Sequence, residues 1–216
     1  MKKNFAFTLT EIAVIALIIM ITAIIVVPKL MEDNKRLETI SQWKNMYRNI
    51  EYVFSAMSVQ SASSECYDFV YTVNNEEKEA YIYDMLSPFL RTESKVLPKD
   101  YKTYYLDGSV VKQEDSFYVE NVYTTTSGDI IGLKWFKTPE KLKKKMPMAM
   151  LLVDLNGIKK PNRWGADIFG VNIFRNRIEP VGKTGDEYLM KADCSPRAGK
   201  GISCSFYYYI YGGKLN

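Results

Sequence analysis

The sequence predicts an α+β protein in which one long N-terminal helix packs on an antiparallel β-sheet. Three observations lead to this prediction: an apolar run over residues 12–27, a helical pattern of apolar residues that continues to residue 57, and short strand-like runs in the remainder. The helix is expected to be apolar all round in its first half and amphipathic in its second half. A chain of 216 residues can form one globular domain with an appendage.

The N-terminal run is long enough to be a membrane helix. Counted from Phe7 to Val27, a helix that includes this run would measure about 31 Å, against a hydrocarbon core of roughly 30 Å. Pro28 is expected to kink the helix rather than end it, because good helix formers follow at once. We therefore predict one helix over roughly residues 7–60. The apolar face of its second half consists of Leu37, Ile40, Trp43, Tyr47, Ile50, Phe54 and Met57.

Three interpretations of the N-terminal run compete: a cleaved secretory signal, a permanent anchor and a buried core helix. A secretory signal needs a small-residue cleavage site after the run, and the sequence V-V-P-K-L-M-E-D has none. Charge does not fix the membrane orientation, because two lysines precede the run and three basic residues follow it closely. Glu11 is unexpected in an anchor, since an acidic residue costs roughly 2.5–3.5 kcal/mol at the centre of a membrane helix.

The string K-K-N-F-A-F-T-L-T-E before the apolar run resembles the class III signal of type IV prepilins and type II secretion pseudopilins. The resemblance implies a pilin-like fold, cleavage between Ala6 and Phe7, and N-methylation of Phe7. It implies that Glu11 directs filament assembly by pairing with the new α-amino group of a neighbouring subunit; the alternative is a carboxylate without a partner that snorkels to the membrane interface. Pro28 falls where many members carry a proline. Ala6 and Thr10 depart from the family pattern, which usually has Gly and Ile or Val at these positions.

The resemblance also implies an organisation and a location. It divides the chain into a leader over residues 1–6, a transmembrane and assembly half-helix over 7–28, and a globular pilin-like domain over 29–216. The protein would cross the bacterial inner membrane once, with the globular domain outside the cytoplasm, and then enter a periplasmic or cell-surface filament. Its partners would be other pilin or pseudopilin subunits, prepilin peptidase, the inner-membrane assembly machinery and, before assembly, membrane lipid.

The expected function is that of a structural subunit of a type IV pilus-like or type II secretion pseudopilus filament. One alternative is a minor pilin for DNA uptake or adhesion that uses the basic run Lys141–Lys145, although such runs are more often solvated loops. Another alternative is an uncleaved anchored protein. An enzyme is not expected, because the sequence has no histidine and no G-x-S-x-G, P-loop or C-x-x-C motif.

The remainder of the chain reads as strands separated by turns. Asp-Gly at 107–108, Ser-Gly at 127–128 and Asn-Gly at 156–157 indicate hairpins rather than βαβ units. A short helix is expected over 76–90, ahead of a loop at Pro98. The predicted strands are Tyr67–Val73, Thr103–Leu106, Ser116–Val122, Ile130–Trp135, Met148–Val153, Ile168–Phe174 and Phe206–Tyr211.

Candidate metal ligands lie in the segment 151–174. Asp154, Asn156 and Asp167 offer hard oxygens and Gly157 permits a tight turn, as in calcium loops. Some pseudopilins also bind calcium in a loop of the C-terminal body. Because the ligands are few and no Glu closes a twelve-residue loop, we favour an Asn-Gly hairpin in which aspartate caps backbone amides and Trp164 packs on the body. No cofactor is expected, with calcium as the alternative.

The cysteines suggest one disulfide. Cys194 and Cys204 enclose a segment with one proline and two glycines, which predicts a bridge if the body is exported. A metal site is the weaker interpretation, because no second pair of cysteines or histidines completes a tetrahedral set. Cys66 would then be a free, buried thiol.

Overall fold

A computed structural model of the protein describes residues 8–60, 92–94, 101–136, 145–174, 177–195 and 198–212. By its contacts the chain divides into two compact units, Met1–Glu38 and Thr39–Asn216. Helix α1, Leu9–Gln60, passes the boundary between them and continues through Pro28. The predicted strand at residues 67–73, the helix at 76–90, the loop at Pro98 and the thiol of Cys66 lie outside the described residues.

The first unit contains, in its described part, the apolar half of α1. This stretch is long and apolar enough to cross a membrane. Its large side chains from Ile12 to Met31 are roughly half exposed or more, and Ile24 and Ile25 reach 68% and 69%. This apolar surface is therefore available to lipid or to other apolar helices. The kink at Pro28 stays a prediction.

Within the described residues, the second unit contains a six-stranded antiparallel sheet whose strand order follows the chain order. Two short helices, α2 (Glu187–Asp193) and α3 (Cys204–Tyr211), follow the sheet. Every pair of neighbouring strands is antiparallel, so the predicted α+β class is confirmed. The strands are β1 (Thr92–Ser94), β2 (Asn121–Thr125), β3 (Ile130–Trp135), β4 (Ala149–Asp154), β5 (Ile168–Ile173) and β6 (Ile178–Pro180).

Both faces of the sheet are covered by a hydrophobic core. All six residues of β4 are therefore buried, although their side chains point alternately to the two faces. Leu151 belongs to the core under α1, where Trp43 stacks on Phe169 with ring centroids 4.9 Å apart. Leu152 belongs to the opposite core, together with Trp164. The second half of α1 packs on the sheet as predicted from Ile40 onwards, whereas Leu37, predicted on the same face, is 51% exposed. Its buried side chains are Ile40, Trp43, Tyr47, Ile50, Val53 and Phe54.

The prediction of a strand at Phe206–Tyr211 is wrong, because these residues belong to α3. The buried residues Cys204, Ser205, Tyr207 and Tyr208 have helical spacing. Gly212 ends the helix with a φ of 72°, in the left-handed region that glycine adopts without strain. Packing of the helical face on α1 and β5 therefore overrides the strand propensity of the aromatic run.

The strands at β3, β4 and β5 are confirmed to within one residue at each end. Thr103–Leu106 is not a strand and contains only an isolated bridge at Tyr104. The strand predicted at Ser116–Val122 begins later, at Asn121, because the Tyr118 N–H donates to Asp115 O at 3.1 Å in a turn that covers the predicted start. The pattern does not predict β1, β6 or α2, which have 3, 3 and 7 residues and are too short to show a period.

Candidate functional site

The first group of candidate residues lies at the start of α1. The Thr8 N–H and hydroxyl donate to Glu11 Oε2 at 2.8 and 2.7 Å, and the Glu11 N–H donates to Thr8 Oγ1 at 3.3 Å. This reciprocal arrangement is a capping box, for which the T-x-x-E spacing is the sequence signal. Glu11 thus has a partner within its own helix. Ala6 and Phe7, the predicted cleavage pair, lie outside the described residues.

The second group lies at the edge of the sheet where β4 ends and β5 begins. Asp154 is the last residue of β4, and Asp167 directly precedes β5. The Leu155 N–H donates to Asp167 O at 3.0 Å, which holds the two ends together. β4 and β5 form an antiparallel hairpin, as predicted, but the Asn-Gly pair at 156–157 does not close it as a short turn and instead opens a long connection over residues 155–167. The long connection allows the loop to fold back over the end of the sheet.

Each of the two carboxylates accepts hydrogen bonds from nearby groups. Asp154 accepts from the Tyr101 hydroxyl at 2.8 Å and from the Asn156 N–H at 3.2 Å. Asp167 accepts from the N–H groups of residues 162 and 163 at 2.9 and 2.6 Å, and from Asn156 Nδ2 at 2.9 Å. The aspartates therefore cap backbone amides, and Trp164 is fully buried, as the sequence predicts.

Among the described residues, no basic side chain neutralises the negative charge of this loop. Asp154 is fully buried and Asp167 is 4% exposed. In the described part of the chain, neither forms an ion pair with a lysine or arginine. Burial, together with the charge of Asp167, raises the pKa of Asp154 to about 8. Burial also raises the pKa of Asp167, although its hydrogen bonds oppose the rise. The loop therefore favours a proton or a cation.

Two amide oxygens beside the carboxylates lack a hydrogen-bond donor. Asn156 Oδ1 and Asn162 Oδ1 are both buried and have no donor among the residues that the structure describes. Asn162 is 6% exposed and has a φ of 49°, a left-handed conformation that asparagine tolerates better than most residues. The predicted ligands Asp154, Asn156 and Asp167 thus lie in one loop. Asn162 is an additional member that the sequence pattern does not predict, and the only signal for it is the asparagine itself, in the Pro-Asn pair.

The amide oxygens of Asn156 and Asn162 are important for metal binding because the loop offers only two carboxylates. Over the described residues, no group of three or more His, Cys, Asp or Glu side chains is arranged to hold a metal ion. A cation in this loop would therefore be held by two carboxylates together with neutral oxygens.

The cysteine loop lies at the junction of α2 and α3. The structure joins Cys194 to Cys204 in a disulfide, with both residues fully buried. The Asp193 carboxylate stabilises this loop by accepting hydrogen bonds from the Lys200 and Ser203 N–H groups at 2.8 and 2.7 Å. This arrangement fixes the start of α3 against the core.

The basic run predicted as an alternative binding site lies largely beyond the described residues. Within Lys141–Lys145 the structure describes only Lys145, which is exposed.

Comparisons of the chain with protein-family models, with curated proteins and with solved structures found no match.

Proposed function

We propose that the chain is a structural subunit of a type IV pilus-like or type II secretion pseudopilus filament. The observation that carries this proposal is the exposed apolar half of α1, in a helix whose other half is built into an α+β body. An apolar helix exposed on all sides needs either lipid or other apolar helices around it. A subunit built in this way can leave the lipid and pack its apolar helix against the apolar helices of other subunits.

The proposed route begins in the inner membrane, with the body outside the cytoplasm. Peptidase cleavage between Ala6 and Phe7 gives a new α-amino group, which is then N-methylated. During assembly the helix leaves lipid and enters a bundle of like helices. There Glu11 of one subunit pairs with the amino group of a neighbour, and the attraction offsets the desolvation of both charges.

Two features of the described residues support the route. The capping box with Thr8 gives Glu11 a hydrogen-bonded position in the single subunit, before any neighbouring amine is present. The Cys194–Cys204 disulfide agrees with a body on the oxidising side of the membrane.

Mass spectrometry of the mature N-terminus tests the proposal. The chain is expressed in cells with and without a prepilin peptidase, and the membrane-inserted protein is purified. We expect N-methylated Phe7 with the peptidase and Met1 without it. An Ala6→Gly variant, which restores the residue typical of the family, should be processed at least as fast. Met1 retained in the presence of the peptidase would contradict the proposal and support an uncleaved anchor. Cleavage beyond residue 27 would indicate a secretory signal.

A further inference from the structure

We propose that the loop between β4 and β5, residues 155–167 and here called the β4–β5 loop, binds the anionic lipid headgroups of the membrane that the apolar half of α1 enters. The side chains that bind are Ile158, Lys159, Lys160 and Arg163. The proposal rests on the membrane-inserted state of the proposed function, but not on leader cleavage or filament assembly. It would give the body an attachment to lipid in addition to α1.

The exposed surface of the β4–β5 loop is basic and apolar. Its exposed residues are Ile158, Lys159, Lys160 and Arg163. The one carboxylate of the loop, Asp167, is only 4% exposed, so every charge that the loop presents to solvent is positive. This composition suits a lipid surface, because an apolar side chain can enter the boundary of the acyl chains while the neighbouring cations contact the headgroups.

The cations of the loop are available to a partner. Over the described residues, none of Lys159, Lys160 and Arg163 forms an ion pair. The carboxylate of Asp107 attracts Arg163, but it already accepts hydrogen bonds from the N–H and hydroxyl of Ser109 at 2.8 and 2.6 Å. An anionic headgroup can therefore approach these side chains without displacing an ion pair.

The loop has a fixed base before it meets lipid. The buried Asp167 carboxylate accepts hydrogen bonds from the Asn162 and Arg163 N–H groups at 2.9 and 2.6 Å. Gly157 has a φ of 65°, and a Cβ at this position would collide with the carbonyl group of Gly128 in the turn between β2 and β3. The exposed tip of the loop follows directly after Gly157. Binding therefore orders few additional backbone torsions and costs little conformational entropy.

The loop lies at the end of the sheet where α1 enters the second unit. Phe169, at the start of β5, stacks on Trp43. Ile178, which pairs with Ile173 at the end of β5, accepts a hydrogen bond from the Tyr47 hydroxyl at 3.3 Å. β5 and this part of α1 thus run in the same direction, and the loop before β5 is at the side of Trp43.

This end of the sheet is also nearer to the apolar run along the chain. The run ends at Val27, and residues 28–38 lead from it to Thr39, the first residue of the second unit. As a helix these eleven residues measure about 17 Å. An anionic surface attracts cations over about 8–10 Å of solution at ordinary salt. We therefore expect the β4–β5 loop, rather than the opposite end of the sheet, to meet the headgroups.

Lipid quenching of a dye on the full-length protein tests the proposal. The chain carries Cys66→Ser, because Cys194 and Cys204 are joined and no other thiol then remains. It is reconstituted in nanodiscs of phosphatidylcholine with or without about 30% phosphatidylglycerol. The dye is placed on Ile158→Cys or, as a matched control before β4, on Met146→Cys, where the native side chain is 45% exposed. Lipids with a nitroxide headgroup quench a dye at the bilayer surface.

In anionic nanodiscs, quenching at position 158 should exceed quenching at position 146 at least about threefold. Most of this difference should disappear without phosphatidylglycerol or in about 0.5 M NaCl, because salt screens the attraction. The double variant Lys159→Gln, Lys160→Gln should lower the ratio of bound to free loop at least about tenfold, since each cation at such a surface contributes about fivefold. Lys145→Gln, an exposed lysine beside Met146, is the matched control and should leave quenching at position 158 unchanged.

Stronger quenching at position 158 that requires both anionic lipid and the two lysines would support the proposal. Equal quenching at the two positions, or stronger quenching at position 146, would overturn it. Quenching at position 158 that is independent of phosphatidylglycerol or of the lysines would also overturn it, because the loop would then not recognise negative charge. A chain that does not enter nanodiscs would overturn the proposed function as well. An inserted chain whose loop avoids lipid would reject only the loop contact.

Discussion

Thr8 and Glu11 form reciprocal hydrogen bonds at the first turn of α1. The Thr8 N–H and hydroxyl donate to one oxygen of the Glu11 carboxylate at 2.8 and 2.7 Å. The same carboxylate is proposed to meet the amino group of a neighbouring subunit. Capping acts within one chain and needs only an oxygen acceptor, whereas pairing acts between chains and needs the negative charge. These two roles can be separated by mutation.

We expect Glu11→Gln to insert into the membrane normally and to reduce filament assembly at least about tenfold, because the charge is lost while an oxygen acceptor for Thr8 remains. Glu11→Ala and Glu11→Val should likewise insert, since they are more apolar, and fail to assemble. The amount of sheared filament, measured by immunoblot against total subunit, gives the result. N-terminal mass spectrometry shows whether cleavage is intact.

Thr8→Ala is the matched control for this prediction. It removes the hydroxyl hydrogen bonds, at about 1 kcal/mol of helix stability, but keeps the carboxylate. Assembly should stay close to the wild-type level. An equal loss of filaments in Thr8→Ala and Glu11→Gln would show that capping, rather than charge pairing, is the function of Glu11.

Trp43 should be the strongest single anchor of α1 on the sheet. It is fully buried, stacks on Phe169, and its Nε1–H donates to Ser205 O at 2.9 Å. Trp43→Ala is expected to lower the free energy of unfolding by about 3–5 kcal/mol. Urea unfolding of the full chain in detergent, followed by near-UV circular dichroism, measures this loss. Tyr52→Ala, on the same helix but 68% exposed, should change it by less than about 0.5 kcal/mol. Similar losses in both variants would contradict the packing described.

The disulfide should contribute measurably to the stability of the body. It closes a loop with a sequence separation of 10 residues, for which chain entropy gives about 2.5–3 kcal/mol. The double variant Cys194→Ala, Cys204→Ala should lose this amount in urea unfolding. Dithiothreitol should destabilise the wild type to the same extent and leave the double variant unchanged. Three reactive thiols in the denatured, unreduced wild type would exclude the bridge, whereas one, from Cys66, is expected.

Sequence reasoning predicts those parts of the fold that a local pattern determines. The apolar face of α1 from Ile40 to Phe54 follows a clear helical period, and every predicted member in this range is buried. β3 is predicted at its observed bounds because a turn with glycine precedes its apolar run. In contrast, Phe206–Tyr211 suits a strand or a helix by composition. Its helical state depends on packing against residues distant in the sequence, such as Trp43, and a local pattern does not contain that information.

The loop between β4 and β5 shows that a local sequence pattern also predicts only some of the residues of a candidate site. Asp154, Asn156 and Asp167 are predicted as candidates by residue type alone, because carboxylate and amide oxygens suit calcium. The burial of the two carboxylates depends on the loop folding back, and Tyr101 contacts Asp154 from a distant part of the chain. Asn162 joins the group only through its left-handed conformation and its contact with Asp167. Neither the left-handed conformation nor the contact follows from a residue spacing that can be recognised in the sequence.

The stability of the body should fall as the pH rises from about 4 to 8. The pKa of Asp154 is raised from an ordinary value of 3.8 to about 8 by burial and by Asp167, and that of Asp167 is raised in the same direction. Because the folded state holds these protons more tightly than the unfolded state, their contribution is complete below about pH 4 and is lost as the pH passes 8. Tyr101, whose pKa burial also raises, stays a neutral donor throughout this range. Urea unfolding in EDTA at pH 5 and pH 8 measures the change, and Asp154→Asn should make it smaller. A wild type that is equally stable at both pH values, or more stable at pH 8, would show that the carboxylates do not hold protons in the folded state.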